Sequence, residues 1–332
     1  MPPASPAASQ HFGFLLLPNV ALMSLAAVTE PLRAANLIAG GPLYRVTLCA
    51  LDGRDVVTSA GVPIPCAALD TLTDLHTLFV CAGGAPADWQ VPGLAPALRR
   101  LARSGVRLGG ISGGPFLLAA AGLLGGADFT IHWEHAPVLS EAFPRLAPRP
   151  ARFVIDGQRV TCGGGVAPLD MMHALIADRM GPDFARRVSD WFLHTAVSEA
   201  GDPQRAGAAG RHGTHHPALL AALATMEAAI ETPVPRSAVA RVAGVSPRHL
   251  DRLFARELGT SWKAAYLEIR LGHALRLLRQ SPLSLAQVAY ATGFSSPSHF
   301  SRAFRTTHGL PPGAWRAAQA RVVQHTTPQG TR

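Results

Sequence analysis

A chain of two domains, a parallel α/β sandwich followed by an all-α domain with two helix-turn-helix units, is the fold class the sequence predicts. Three observations predict it. Apolar runs of strand length alternate with helical segments through the first 200 residues, a helix–glycine–helix pattern occurs twice in the last third, and charge is divided unevenly between the two parts. Residues 1–210 hold 15 Arg or Lys against 16 Asp or Glu, whereas residues 211–332 hold 15 against 5. The formal net charge of +9 is therefore a property of the C-terminal third, as expected of a part that neutralises phosphates. A general preference for arginine, visible in Lys263 being the one lysine, does not explain that split. A length of 332 residues exceeds what one core usually serves, and a hydrophobic fraction of 48% is ample for two.

In chain order, residues 1–10 are rich in Pro, Ala and Ser and are expected to form a loose tail. Residues 12–17 read as a first strand and 22–38 as a helix that Pro31 should kink or restart. Residues 44–50 are a second strand, closed by Asp52-Gly53, and 77–81 a third, ending at Gly83-Gly84. A helix over 94–104 leads to a fourth strand over 106–111, which meets Ser112-Gly113-Gly114 and a buried-looking helix over 116–124. Strand signals at 153–157 and 160–162, a glycine run at 163–165 and helices over 167–180 and 182–195 complete the domain. This alternation predicts a flavodoxin-like sheet covered on both faces, with ligands bound beyond the strand C-termini, where Gly84 and Ser112 lie. Residues 199–216, with little periodicity, are the expected linker.

The C-terminal pattern is sharper. Ser284 should cap a short helix carrying Leu285, Val288 and Ala289 on one face, Gly293 breaks it, and Ser296-Pro297 opens a second helix. There Phe300, Ala303 and Phe304 form a packing stripe, while Ser298, Arg302 and Arg305 form another that can meet DNA. Upstream, Arg252, Phe254 and Gly259 precede Arg302, Phe304 and Gly309 by 50 positions, and Ala240 and Gly244 precede Ala289 and Gly293 by 49. Residues 261–280 read as one helix joining the copies, a spacing that lets two units enter successive major grooves.

With Arg270-Leu271-x-x-Ala274-x-x-Leu277-Leu278 in the joining helix and Gly309-x-x-Pro312-x-x-Trp315-Arg316 at its end, the region over about 217–317 resembles the AraC/XylS family of bacterial transcription regulators. Trp315 stands where that family commonly has Tyr. The DNA-binding domain is accordingly expected over 217–320, with a polar tail at 321–332. Arg248, Arg252 and Arg256 recur every four residues, and the expected contacts are these with His249, Ser296, Ser298, His299, Arg302 and Arg305. Arg252 and Arg302 are the strongest candidates for base edges; Arg256 and Arg305 suit phosphates.

In the first domain Gly110-Ile111-Ser112-Gly113-Gly114 matches the spacing of a nucleophile elbow, where a sharp strand-to-helix turn demands glycines on both sides. A working serine also needs a histidine base and an orienting carboxylate; His132, His135, His173 and Asp170 are available, and the sequence brings none of them to Ser112. The elbow, Glu30-Pro31-Leu32-Arg33-Ala34-Ala35-Asn36, Ala82-Gly83-Gly84, Leu118-Ala119-x-Ala121-Gly122-Leu123-Leu124, Thr130-x-His132-Trp133-Glu134 and Thr161-Cys162-Gly163-Gly164 followed by Asp170 together resemble the ThiJ/PfpI branch of the class I glutamine amidotransferase-like fold. The resemblance covers residues 12–198, giving an expected domain over 11–198, in the form fused to AraC-type domains in GlxA-like regulators.

Enzymes of that fold place Cys at the position of Ser112 and often His at that of Gly113, and this chain lacks both. The resemblance thus implies a former catalytic pocket kept as an effector sensor, with no catalytic residue, cofactor or metal. A serine-dependent hydrolase or amidase using Ser112, tethered to DNA, is the alternative. The effector residues it implies are Glu30, Gly84, Ser112, Gly113, His132 and Trp133: Glu30 for a cationic group, Trp133 for an ammonium head, and the amides after Gly84 and Ser112 for a carboxylate. Such a pocket suits a betaine, carnitine or arginine type of effector. Double-stranded promoter DNA, a small-molecule effector, RNA polymerase and a second copy of the chain are the implied partners. Cys49, Cys66, Cys81 and Cys162 have no metal spacing and read as buried free thiols; with no leader and no apolar run of membrane length, a cytoplasmic protein is expected.

Overall fold

The computed structural model describes residues 8–205 and 207–325, and the chain divides into two compact units that meet between Gln204 and Arg205. In the first unit β1 (Gln10–Leu16) leads into α1 (Leu22–Ala39) and β2 (Tyr44–Ala50). Three short strands follow, β3 (Val56–Val57), β4 (Pro63–Ile64) and β5 (Ala67–Ala68), then β6 (Leu75–Ala82), α2 (Leu94–Arg103), β7 (Arg107–Ser112), α3 (Gly114–Ala120) and α4 (Ala136–Ala142). The antiparallel pair β8 (Phe153–Asp156) and β9 (Arg159–Cys162), α5 (Ala167–Met180) and α6 (Pro182–Trp191) complete it. Strand order is β5-β2-β1-β6-β7-β9-β8, parallel except at β8.

The continuous apolar strands explain that architecture, because a strand buried on both faces needs a covering layer on each. In β1, Phe12, Phe14 and Leu16 point into one core with Val28 and Leu32 of α1, Met171 and Ile176 of α5, and Val188 of α6. Leu15 and Leu17 point the opposite way, into a core with Leu98 of α2 and Leu118 of α3. β6 repeats the alternation, with Phe79 and Cys81 on the first side and Leu78 and Val80 on the second. The sheet is thus anchored on both faces, and its C-terminal edge is free to build a site.

Four expectations are corrected. α1 runs through Pro31 without interruption, since burial of Val28, Pro31, Leu32, Ala34 and Ala35 along one face outweighs the lost amide bond. Gln10 belongs to β1 rather than to a tail, while residues 1–7 of that segment lie outside the described residues. The last helix reaches His325, so residues 321–325 are helical; the remainder, 326–332, lies outside the described residues. Cys66 is half-buried; Cys49, Cys81 and Cys162 are buried, and all four are free.

Residues 199–204, expected within the linker, are held against the first unit. Asp170, fully buried on α5, accepts from both Arg152 Nε and Nη2 (2.9 and 2.6 Å), lies 2.7 Å from His194 Nε2, and accepts from the Ser198 amide at 3.0 Å. The carbonyl of Ala200 then accepts from the amide of Arg152 at 3.0 Å.

The second unit is helical: α7 (Ala208–His212), α8 (Pro217–Ala228), α9 (Arg236–Val242), α10 (Pro247–Leu258), α11 (Trp262–Gln280), α12 (Leu285–Ala291), α13 (Pro297–His308) and α14 (Pro312–His325). Helix α7 lies inside the expected linker, where Arg211 and His212 both meet Glu227 of α8. Leu219, Leu223, Met226, Leu250 and Phe254 form a core around the first helix pair, and Phe300 packs edge-on to Phe304 in the second.

Candidate DNA interface and effector pocket

Two helix pairs of nearly identical construction stand at either end of α11. In the first, α9 ends before Gly244 (φ 68°), and in the second α12 ends before Gly293 (φ 73°). A side chain at position 293 would meet the carbonyl oxygen of Ile230 at 2.5 Å, so this turn tolerates glycine alone on both conformational and steric grounds. Ser246 caps α10 by accepting from the His249 amide at 3.2 Å, and Ser296 caps α13 by accepting from His299 at 3.3 Å. Each cap is followed by proline, each helix has 12 residues, and each stops at a left-handed glycine, Gly259 or Gly309. Ser284 and Gln287 form a capping box at α12, as the sequence anticipates for Ser284.

Burial divides the two second helices as expected. Leu250, Leu253 and Phe254 are buried in α10, and Phe300 and Phe304 in α13; Arg248, Arg252, Arg256, Ser298, His299, Arg302 and Arg305 are exposed. His249 and Ser296 are half-buried, and the Ser296 hydroxyl oxygen is engaged as the cap. A further correspondence joins the pair: His249 and Arg252 occupy the places of His299 and Arg302. Arg252 Nη2 donates to His249 Nδ1 at 3.2 Å, which orients the guanidinium, while the His299 ring stands edge-on to Phe294 with centroids 5.4 Å apart. Arg256 is paired with Glu257 at 2.8 Å, so its guanidinium reaches a phosphate only by giving up a carboxylate.

In the first unit the elbow is present in the backbone. Ser112, the last residue of β7, has φ 58°, a conformation that non-glycine residues adopt at a cost. Its neighbours are packed too closely for side chains. A Cβ on Gly114 would lie 2.0 Å from the Val80 carbonyl, and one on Gly113 would lie 2.2 Å from the Trp89 ring. Trp89, which sequence reasoning missed, takes the space where a side chain at 113 would stand, and its Nε1 donates to Gly83 O at 2.6 Å. From Trp89 an aromatic chain runs through His135 (centroids 5.1 Å) and His132 (5.6 Å) to Trp133 (5.4 Å).

The groups a hydrolase would need are engaged elsewhere. The His132 amide donates to Ser112 O at 3.1 Å, but its Nδ1 accepts from the Glu134 amide, and burial pushes its pKa down to about 4. Asp170 serves Arg152, His194 and Ser198, and His173 Nδ1 lies 2.8 Å from Ser189 Oγ. Among the described residues no side chain hydrogen-bonds to Ser112 Oγ.

Two expected ligand contacts are corrected. The amides meant to hold a carboxylate are taken: Gly113 donates to Ala82 O at 3.0 Å, and Ala85 donates to Asp88 Oδ2 at 3.3 Å. Asp88 Oδ2 instead stands over Gly84, 3.3 Å from where its Cβ would be. Glu30 is paired with Arg33 at 2.7 Å on the α1 surface. Another α1 residue reaches the elbow region: Ser24, 2% exposed, accepts from the Gly165 amide at 2.8 Å, and a Cβ on the adjacent Gly164 would lie 2.7 Å from Ser112 Cβ. No periodicity marks Ser24, and only the fold exposes its role.

Gln204 is fastened to the segment that carries this aromatic chain. Its Oε1 accepts from the Trp133 amide at 2.8 Å, and its Nε2 donates to Ala151 O (2.6 Å), Ile131 O (2.9 Å) and Thr130 Oγ1 (3.0 Å). The amide lies over Gly163, where a Cβ would meet the Gln204 carboxamide carbon at 2.6 Å.

Comparison with known proteins places both halves. The DJ-1/PfpI family matches residues 16–178, and the helix-turn-helix domain family matches residues 239–318. The HTH-type transcriptional regulator GlxA of Rhizobium meliloti (strain 1021) is 62% identical over 309 residues, covering 92% of this chain and 95% of that protein. The HTH-type transcriptional regulator GbdR of Pseudomonas aeruginosa (strain UCBPP-PA14) is 40% identical over 311 residues, 93% of this chain and 85% of its own length. The crystal structure of an AraC family transcriptional regulator from Pseudomonas putida is 28% identical with a TM-score of 0.52, covering 55% of this chain and 99% of that one. No helix among the described residues is long and apolar enough to cross a membrane.

Proposed function

The chain belongs to the GlxA-like family of HTH-type transcriptional regulators, which join a DJ-1/PfpI domain to an AraC-type DNA-binding domain, and from that premise we propose that it reads promoter DNA through α10 and α13 under control of a small amine or amino-acid-like metabolite. One observation carries the DNA assignment: two copies of a proline-started helix bury phenylalanine on one side and expose arginine on the other, at places 50 residues apart. Arg248 and Arg252 in one copy, and Ser298, His299 and Arg302 in the other, face base edges; Arg256 and Arg305 hold phosphates. The regulator acts as a homodimer and engages RNA polymerase.

The effector binds at the C-terminal edge of β6 and β7, among Gly84, Ser112, Gly113, His132 and Trp133, with Glu30 at the outer margin. Aromatic rings on one side and the Asp88 carboxylate near Gly84 favour a cationic head of betaine, carnitine or arginine type, and a His132 that stays neutral adds no opposing charge.

The test pairs two measurements on the full chain. Selection from a random duplex library should enrich one sequence family, and a thermal-shift panel of glycine betaine, carnitine and L-arginine should include a compound that both stabilises the first unit and changes affinity for the enriched site. A ligand at 100 times its Kd raises stability by about 2.7 kcal/mol. Equal binding to all duplexes at fixed salt would remove the DNA reading, and stabilisation with unchanged DNA affinity would remove the control.

A further inference from the structure

Most of the segment leading to the second unit is fastened to the first through backbone groups. Ser198 gives its amide to Asp170, and Ala200 takes the amide of Arg152. Gln204, the last residue before the division of the chain, is fastened differently. Its carboxamide enters a cradle of three acceptors, Thr130 Oγ1, Ile131 O and Ala151 O, and one donor, the Trp133 amide. Thr130, Ile131 and Ala151 are each at most 7% exposed, and the missing side chain of Gly163 leaves the room the carboxamide fills. Ile131 and Trp133, which hold the departing chain, flank His132 in the aromatic chain that runs from Trp89 to Trp133.

We propose that this cradle is a binding site for a primary amide or another group with several N–H donors beside an acceptor, and that the chain's own Gln204 occupies it as an internal ligand. The inference rests on reading the neighbouring C-terminal edge of β6 and β7 as the effector site. An effector that shifts Trp133, or carries such a group into the cradle, expels Gln204 and frees the segment preceding Arg205. Quaternary ammonium compounds have no N–H, and a guanidinium has no acceptor for the Trp133 amide, so both can act only by the first route; a carboxamide can use both. Gln204 is thus a positioning residue that ties occupancy of the sensing unit to the path into the DNA-binding unit.

The full chain tests this with two substitutions and one probe. Gln204→Ala should speed hydrogen exchange at the Trp133 amide and tryptic cleavage after Arg205 by about tenfold each, because the Trp133 amide loses the Gln204 carbonyl and the strap loses its carboxamide anchor. Gly163→Ala should do the same with Gln204 intact, by filling the cradle, and the double variant should be no looser than either single one, since both remove one interaction. Propionamide added to Gln204→Ala should restore slow exchange at Trp133 while cleavage after Arg205 stays fast, because the bound amide is no longer joined to the chain. A merely structural glutamine would not separate the two readouts in this way.

The proposal is overturned if Trp133 exchange is unchanged in Gln204→Ala, if it rises while cleavage after Arg205 does not, or if propionamide fails to restore it. If the variants and propionamide behave as expected but no compound of the amine panel alters either readout in the unsubstituted chain, the internal ligand stands and the effector reading fails.

Discussion

Arg302→Ala separates reading of sequence from attraction to charge. Arg302 is exposed on α13, two residues and so about half a turn from both Phe300 and Phe304, which are buried, so its removal leaves the packing face intact and should change the stability of the second unit by less than about 0.5 kcal/mol. A guanidinium paired bidentately with guanine discriminates by about 1–3 kcal/mol, so affinity for an enriched site should fall roughly 5- to 150-fold. Affinity for random duplex should fall by only the electrostatic share of one cation, about fivefold at physiological salt. Arg305→Ala is the control: it should weaken both duplexes alike and reduce the slope of log affinity against log salt by about 0.9. Fluorescence anisotropy with the enriched and a scrambled duplex, each over a series of salt concentrations, measures all four quantities. If Arg302→Ala weakens both duplexes equally, the base-reading role is refuted, and a specific loss in Arg305→Ala would show that the two stripes are misassigned.

Other outcomes follow from the same geometry. Glu257→Gln should tighten binding to any duplex severalfold, because Arg256 then meets phosphate without giving up the 2.8 Å pair, a surface pair worth about 0–1 kcal/mol; unchanged affinity in the same anisotropy assay would remove Arg256 from the contacts. Phe304→Ala should cost the second unit about 3–5 kcal/mol in urea unfolding, since it is fully buried and touches Phe300 and Trp315. Burial holds His132 and His273 down at about 4, below the ordinary 6.5, so the unfolded chain binds more protons between those values. Stability should therefore be full above pH 6.5 and fall as pH drops towards 4, by on the order of 2 kcal/mol per histidine; urea unfolding across that range should show His132→Gln flattening the response of the first unit and His273→Gln that of the second. Finally, a serine-reactive phosphonate should leave Ser112 unlabelled and Ser112→Ala should keep DNA binding, whereas stoichiometric labelling would reinstate a nucleophile.

The sequence shows most clearly what local chemistry decides. Ser284, Ser296-Pro297 and Gly293 each specify a cap, a start or a stop by their own backbone requirements, and all act at the expected places. The two-sided burial of β1 and β6 is equally legible, because apolar runs without alternation imply two covered faces. What escapes is whatever depends on residues distant in sequence. Gln204 lies 71 residues beyond Trp133, and its surroundings, glycine, proline and charge, carry the signature of a linker; its carboxamide has a partner only because Gly163 leaves space. Ser24 is hidden for the same reason, its partner Gly165 being 141 residues away. Pro31 misleads in the opposite sense, since a local rule against helix interiors yields to the burial of a whole face.

The retained elbow needs a cause other than catalysis, and packing supplies one. A non-glycine residue at φ 58° is held only where its surroundings over-determine it, and here they do: Gly113 is pressed by Trp89, Gly114 by the Val80 carbonyl, and Gly164 by Ser112 itself. Trp89 fills the space beside Gly113, His132 is turned to the Glu134 amide, and among the described residues no side chain hydrogen-bonds to the serine hydroxyl. The same close packing holds the strand edge around Ser112. The segment that bears Trp133 is fastened in part by a single carboxamide. Gln204 supplies that fastening, one residue before the DNA-binding unit begins.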